Sequence, residues 1–306
     1  MKKLLALALS ILMACSLCTA LAADYSDVFT NFDLRDSWTA ATEITFTDTA
    51  VTINGLVILA FMFLFSFIGG LVSPYKEDQK FYRYDIQQKT YAGVIENTEF
   101  RYASADGQEF GSILQAQLVL AGLTLTCQSS APLYVLSADK VSLTLAPDTV
   151  NTFADGKAYT AAFDKQPNAC ICSRDDLVIN GTGTLNVEGN FNNGIGSKND
   201  LRIAGGNITV SAVKNALKGN DSVAIQNGVI PLTAGKDAIK TDNEDKPGKG
   251  YVYIAGGDIR ITAGDDAIQA TQDVTVTGGA IAVTAAGKAV NSKGSQDVAT
   301  GVISAK

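Results

Sequence analysis

Over its C-terminal half the chain repeats itself at an interval of about 22 residues, and that period leaves few folds open. Five segments share one pattern: Leu177 to Gly181, Leu201 to Gly206, Val223 to Gly228, Val252 to Gly257 and Val274 to Gly279. Their starts are 24, 22, 29 and 22 residues apart, and the long interval holds an insertion around Thr241 to Lys249. Each unit opens with an alternating strand that ends in glycine, where a Cβ would hinder the next bend. A second strand follows, carrying Ile208 and Val210, Ile230 and Leu232, Ile259 and Ile261, or Ile281 and Val283. A third, shorter element places Ile195, Leu217, Ile239, Ile268 or Val290 in the same column. An acid precedes each new unit at Asp176, Asp200, Asp221, Asp273 or Asp297. Three short strands per turn, with inward positions in register, define an all-β parallel β-helix with coils of about 22 residues. Such units are too short for a strand–helix–strand crossover. Weaker coils at Leu118 to Leu125 and Val141 to Leu145 extend the solenoid upstream, so it is expected over 113–306. Pro231 removes one ladder hydrogen bond from its strand.

Composition narrows function more than fold. The 306 residues hold 24 basic and 31 acidic side chains, a net charge of −7, with no basic block to neutralise phosphates; nucleic acid is therefore a poor partner. The absence of histidine excludes Ser-His-Asp and Cys-His catalysis and every zinc site that needs an imidazole.

The N-terminus reads as an export signal over 1–22: Lys2 and Lys3 precede an apolar run from Leu4 to Met13. Two cleavage sites compete, a lipobox-like Leu12-Met13-Ala14-Cys15 and a small-x-small Ala20-Leu21-Ala22. An exported protein at the cell surface or outside the cell is the expectation, lipid-anchored in the first case. Beyond the signal, Cys127, Cys170 and Cys172 remain, an odd number, and are read as small buried hydrophobes rather than a disulfide. A second apolar run, 56–73, is just long enough to span a bilayer. Lysines and Arg83 after it would place the solenoid in the cytoplasm, against the export reading. A membrane helix, a buried cap helix, an insertion and a local frameshift all remain open there. The whole of 23–112 is read as an N-terminal region holding that possible transmembrane segment, and residues 76–112 show no usable periodicity.

Several phrases resemble the bacterial carbohydrate-binding domain-containing family: Ser197-Lys198-Asn199-Asp200-Leu201, Lys218-Gly219-Asn220-Asp221, Lys236-Asp237-Ala238-Ile239-Lys240 and Gly250-Tyr251-Val252-Tyr253-Ile254-Ala255-Gly256-Gly257. The resemblance covers about residues 115 to 300, and Thr42-Glu43-Ile44-Thr45-Phe46 resembles that family's first strand. It implies a right-handed β-helix related in fold to pectate lyases, calcium, and binding of plant-type polysaccharides including acidic ones. The chain departs from the pattern where Asn193-Gly194-Ile195 and Asn215-Ala216-Leu217 replace the family's Asp-Gly-Ile turns.

Stacking turns each repeat position into a column of side chains. The column before the third strand reads Asn193, Asn215, Asp237, Asp266, Lys288, with Asp265 beside it and Asp242, Glu244 and Asp245 in the insertion. Asp237 and Asp266 lie in adjacent coils, so they, with Asp242 and Asp265, are the candidate ligands for Ca2+, which takes six to eight oxygens. Solvated carboxylates paired with Lys236 and Lys240 are the alternative. The column after the strand places Lys218 beside Lys240, a cradle for uronate carboxylates. Tyr251 and Tyr253 point outward and can stack on sugar rings. Arg260 is a further outward sugar-binding candidate and, with Arg202, the base a lyase would need. The reading is a monomeric, non-catalytic module that binds acidic polysaccharide. A calcium-dependent lyase and a structural or adhesive surface protein are the alternatives.

Overall fold

The computed structural model describes Tyr25, residues 28–36, the short strands Glu43–Phe46, Val51–Asn54, Tyr102–Ala103 and Glu109–Phe110, and the chain from 115 to 305 except 136–137 and 161–165. The expected export signal and the apolar run 56–73 lie outside these residues. Among the described residues no helix is long and apolar enough to cross a membrane.

The repeat folds into three parallel sheets wound from successive coils. Sheet I has eight strands, from Gln115–Leu120 to Gln296–Val298; sheet II has eight, from Thr124–Cys127 to Ile303–Ala305; sheet III has seven, from Leu133–Val135 to Val290–Ser292. The register follows the sequence repeat. Leu177 pairs with Leu201, Leu201 with Val223, Val223 with Val252 and Val252 with Val274. In sheet II Leu185 pairs with Ile208, Ile230 with Ile259 and Ile259 with Ile281; in sheet III Ile195, Leu217, Ile239, Ile268 and Val290 form one column. These aliphatic columns fill the interior, and in the coil around 222–241 Val223, Ile225, Ile230, Leu232 and Ile239 are all at most 1% exposed. A one-residue slip would turn each set to solvent, so the apolar pattern fixes the register. The Glu43–Phe46 segment is a strand, but it pairs antiparallel with Val51–Asn54 rather than joining the solenoid sheets.

The corner between sheets I and II shows why glycine recurs. Gly206, Gly228, Gly257 and Gly279 all take positive φ, at 105°, 127°, 103° and 98°. A Cβ on Gly228 would also lie 2.8 Å from the Gly206 carbonyl oxygen of the coil beneath. Both the left-handed backbone and the 22-residue stacking forbid a side chain here. Pro231 faces outward on sheet II beside Arg260, away from the core.

Sheet II keeps an exposed outer face, with strands that alternate exposed and buried. Sheet I does not. Val178 and Ala224 face outward yet are fully buried, because the N-terminal segment lies across them. Thr30 caps the helix Asn31–Leu34 through a reciprocal box with Asp33. At one end Tyr25 stacks on Tyr253 at 4.4 Å and 12°. At the other, the Arg35 carbonyl accepts from Asn180 and Gln117. Between them, Asp33 is completely buried and pairs with Lys140 at 2.8 Å and Arg202 at 3.9 Å.

Candidate functional site

The polar side chains that precede sheet III form a ladder along the solenoid. Asn215 Nδ2 and its backbone N–H donate to Asn193 Oδ1 at 2.8 and 3.2 Å. The Asp237 N–H donates to Asn215 Oδ1, the Asp266 N–H to Asp237 Oδ1 and the Lys288 N–H to Asp266 Oδ1, at 3.2, 3.1 and 2.7 Å. Each side-chain oxygen thus satisfies the turn amide of the next coil. Asparagine does this without charge; the switch to aspartate at Asp237 and Asp266 keeps the geometry and adds two buried carboxylates.

Those two meet a third. One carboxylate oxygen each of Asp237, Asp265 and Asp266 lies within 4.8 Å of the others, with Asp265 exposed. Lys240 Nζ donates to Asp237 Oδ2 at 2.8 Å, and Asn291 Nδ2 donates to Asp266 Oδ2 at 2.6 Å. One ammonium against three carboxylates leaves the group net negative. Like charges this close repel, and burial strengthens the repulsion. Gln269 lies in register between Lys240 and Asn291, and its buried Oε1 has no hydrogen-bond donor among the described residues. The three carboxylates are hard oxygen donors, and the Gln269 column position adds an amide oxygen on the same strand face, so the donor chemistry here suits Ca2+. Asp242 is not part of it; its carboxylate pairs with Lys218, the residue in register with Lys240 one coil earlier on sheet III. The four expected ligands therefore divide into Asp237, Asp265 and Asp266 together and Asp242 apart.

The sugar-binding candidates are spread over three faces. Lys218 and Lys240 are adjacent on sheet III, as their repeat position requires. Tyr251 and Tyr253 are on sheet I, where Ala224 and Thr275 flank Tyr253, and Arg260 is on sheet II, paired with Asp258 at 2.6 Å. They do not converge on one site. The two tyrosines do face outward, but Tyr25 lies over both and leaves them half-buried. Arg202 is unsuited to be a base. It is buried, and it meets Asp200 at 2.8 Å, Asp176 at 3.2 Å and Asp33 at 3.9 Å. Burial works against its charge, but Asp200, Asp176 and Asp33 outweigh that and hold its pKa above the ordinary value.

The sequence reading missed Tyr25 and Asp33. Neither belongs to the repeat. The only readable sign was Thr30-x-x-Asp33, the pattern of a capping box.

A three-sheeted parallel β-helix with an asparagine–aspartate ladder and a lysine pair beside it defines a class of solenoid whose lateral surface, not an enclosed cavity, presents its polar groups. The family model described as carbohydrate-binding domain-containing protein matches residues 93–306, and the chain belongs to that family. A curated carbohydrate-binding domain-containing protein of Acetivibrio thermocellus is 50% identical over 112 residues, which is 35% of this chain and 39% of that protein. The chain thus spans about two fifths of that relative's length. The solved structure of a polysaccharide lyase-like protein from C. thermocellum, a gadolinium derivative, matches with a TM-score of 0.61 and 48% identity over 63% of this chain and 78% of that one.

Proposed function

We propose that the protein is exported and binds uronate-bearing polysaccharide with the help of calcium, at the corner between sheets II and III. The observation that carries this reading is the cluster of Asp237, Asp265 and Asp266 next to the Lys218–Lys240 pair. Asp237, Asp265, Asp266 and Gln269 would hold the ion, and the ion would supply a fixed positive charge for a sugar carboxylate. The protein oxygens number fewer than calcium's usual six to eight, which leaves positions for water or for the glycan itself. Lys218 and Lys240 add cationic donors one strand spacing apart, a repeat suited to a chain of carboxylates. Binding is preferred to lyase chemistry because the two lysines of the cradle are engaged, Lys240 by Asp237 and Lys218 by Asp242. Export rests on Lys2, Lys3 and the apolar run behind them.

Calorimetry with polygalacturonate, in calcium and then in EDTA, tests the reading, with ultraviolet absorbance followed for unsaturated products. Calcium-dependent heat without new absorbance is expected. Asp237→Asn keeps the ladder, since Asn215 serves one coil earlier, and should weaken binding at least tenfold. Rising absorbance would make the protein a lyase, and equal binding in EDTA would remove the calcium.

A further inference from the structure

The N-terminal segment and the insertion after Thr241 border an open concavity at the corner between sheets III and I. Its volume is about 540 Å³, within the range of small-ligand sites, and Tyr25, Tyr251, Lys246, Lys249, Gln272 and Asp273 line it. It is separate from the aspartate cluster, which lies at the other end of the sheet III strands.

Two features define what it can hold. First, Tyr25 and Tyr251 meet with ring centroids 5.4 Å apart and planes inclined at 51°, an aromatic corner rather than a flat stack. Tyr253 is covered by Tyr25 and the Tyr25 hydroxyl accepts from Thr275 at 3.3 Å, so the corner is fixed in place. Such a corner offers apolar area to the C–H face of a pyranose while the rim remains polar. Second, the charges around it are already balanced. Glu244 is paired with Lys293 at 2.6 Å, and Lys249 sits between Asp200 and Asp221 at 3.5 and 3.6 Å. What remains is Lys246 against Asp245 and Asp273, with no positive excess to attract a polyanion. Asp273 Oδ1 accepts from the Ser295 N–H and hydroxyl, both at 2.7 Å, and its Oδ2 has no donor among the described residues. One free carboxylate oxygen, an exposed ammonium and an amide are complementary to neutral hydroxyls, which both donate and accept.

We propose that this pocket is a second saccharide subsite that takes a neutral sugar unit and needs no metal ion. It rests on the carbohydrate-binding reading of the family but not on the calcium site. It also gives the N-terminal segment a role, because Tyr25 supplies one wall.

The test is calorimetry of the full chain in EDTA with cellohexaose, xylohexaose and β-1,4-galactohexaose, and separately in calcium with polygalacturonate. At least one neutral oligosaccharide should bind in EDTA. Tyr25→Ala should weaken it tenfold or more, Tyr25→Phe should retain it, and Asp237→Asn should leave it unchanged. Lys246→Ala, an exposed turn residue outside the N-terminal contact, should weaken it several-fold and covers the case in which Tyr25→Ala also loosens the segment. Polygalacturonate binding in calcium should survive Tyr25→Ala, so loss of one activity is distinguishable from loss of the other. No neutral oligosaccharide bound in EDTA, binding unaffected by both Tyr25→Ala and Lys246→Ala, or neutral binding abolished by Asp237→Asn would each overturn the proposal.

Discussion

Replacing Asp33 by asparagine isolates one charge in the N-terminal segment. The carboxylate is 0% exposed, and it holds Lys140, whose side chain is 10% exposed, at 2.8 Å. Its other oxygen accepts from the Thr30 N–H at 2.9 Å, a bond an asparagine oxygen can keep, so the helix cap survives. Removing one partner of a buried ion pair costs about 3–5 kcal/mol. Arg202 retains Asp176 and Asp200, so Lys140 is the group left uncompensated, and the lower end of about 3 kcal/mol applies. That corresponds to roughly a hundredfold loss in the equilibrium that keeps the segment docked. Hydrogen exchange at the Leu34 and Arg35 amides, which bond to the Thr30 and Phe32 carbonyls, would report it directly. Asp33→Asn combined with Lys140→Met should recover all but about 1 kcal/mol, since an apolar pair tolerates the site better than an orphaned ammonium. A change of less than about threefold in exchange for the single variant would refute the reasoning.

Gly228→Ala should cost about 2 kcal/mol and lower Tm by roughly 4–8 °C, because a side chain meets both a positive φ and the Gly206 carbonyl; an unchanged thermal midpoint would contradict the stacking. Burial raises the Asp155 pKa above the ordinary carboxylate range, despite the hydrogen bonds from Tyr159 and Asn190. The folded state therefore takes up that proton first, and ionisation of Asp155 weakens stability as pH rises through its folded pKa. Asp155→Asn should gain on the wild type in chemical denaturation as pH rises above the ordinary carboxylate range, and a pH-independent difference would count against it. Cys127, Cys170 and Cys172 are all free and buried, and burial pushes the Cys170 and Cys172 thiols up. A disulfide-exchange dye should therefore titrate them in denaturant, with little reaction at Cys170 or Cys172 in the native protein.

The solenoid was legible because one periodicity specified it many times over. Leu201, Val223, Val252 and Val274 each state the same inward position, and the paired strands repeat that alignment residue for residue. The ladder was legible for the same reason: Asn215, Asp237 and Asp266 share one turn position. Asp242 falls outside the aspartate group because it lies in the insertion, where the repeat no longer dictates direction, and it pairs with Lys218 instead. The covering of sheet I was barely legible. Tyr25 and Asp33 are far from their partners in sequence and have no counterpart in any coil, so nothing local records their docking. On the solenoid itself, the apolar Val178 and Ala224 at outward positions were the trace of a cover, since a solvated face would carry polar groups there.

In a stacked repeat each coil answers only to its neighbours, so disorder at one end can spread inward a coil at a time. The N-terminal segment alters that connectivity. Its contacts run from Gln117 in the first coil, through Lys140, Asn180 and Arg202, to Tyr253 and Thr275 near the last. The first coil therefore cannot fray without also straining a strand of chain anchored several coils away. The stack gains long-range coupling, and its unfolding should be a single cooperative transition rather than the gradual unzipping of a ladder.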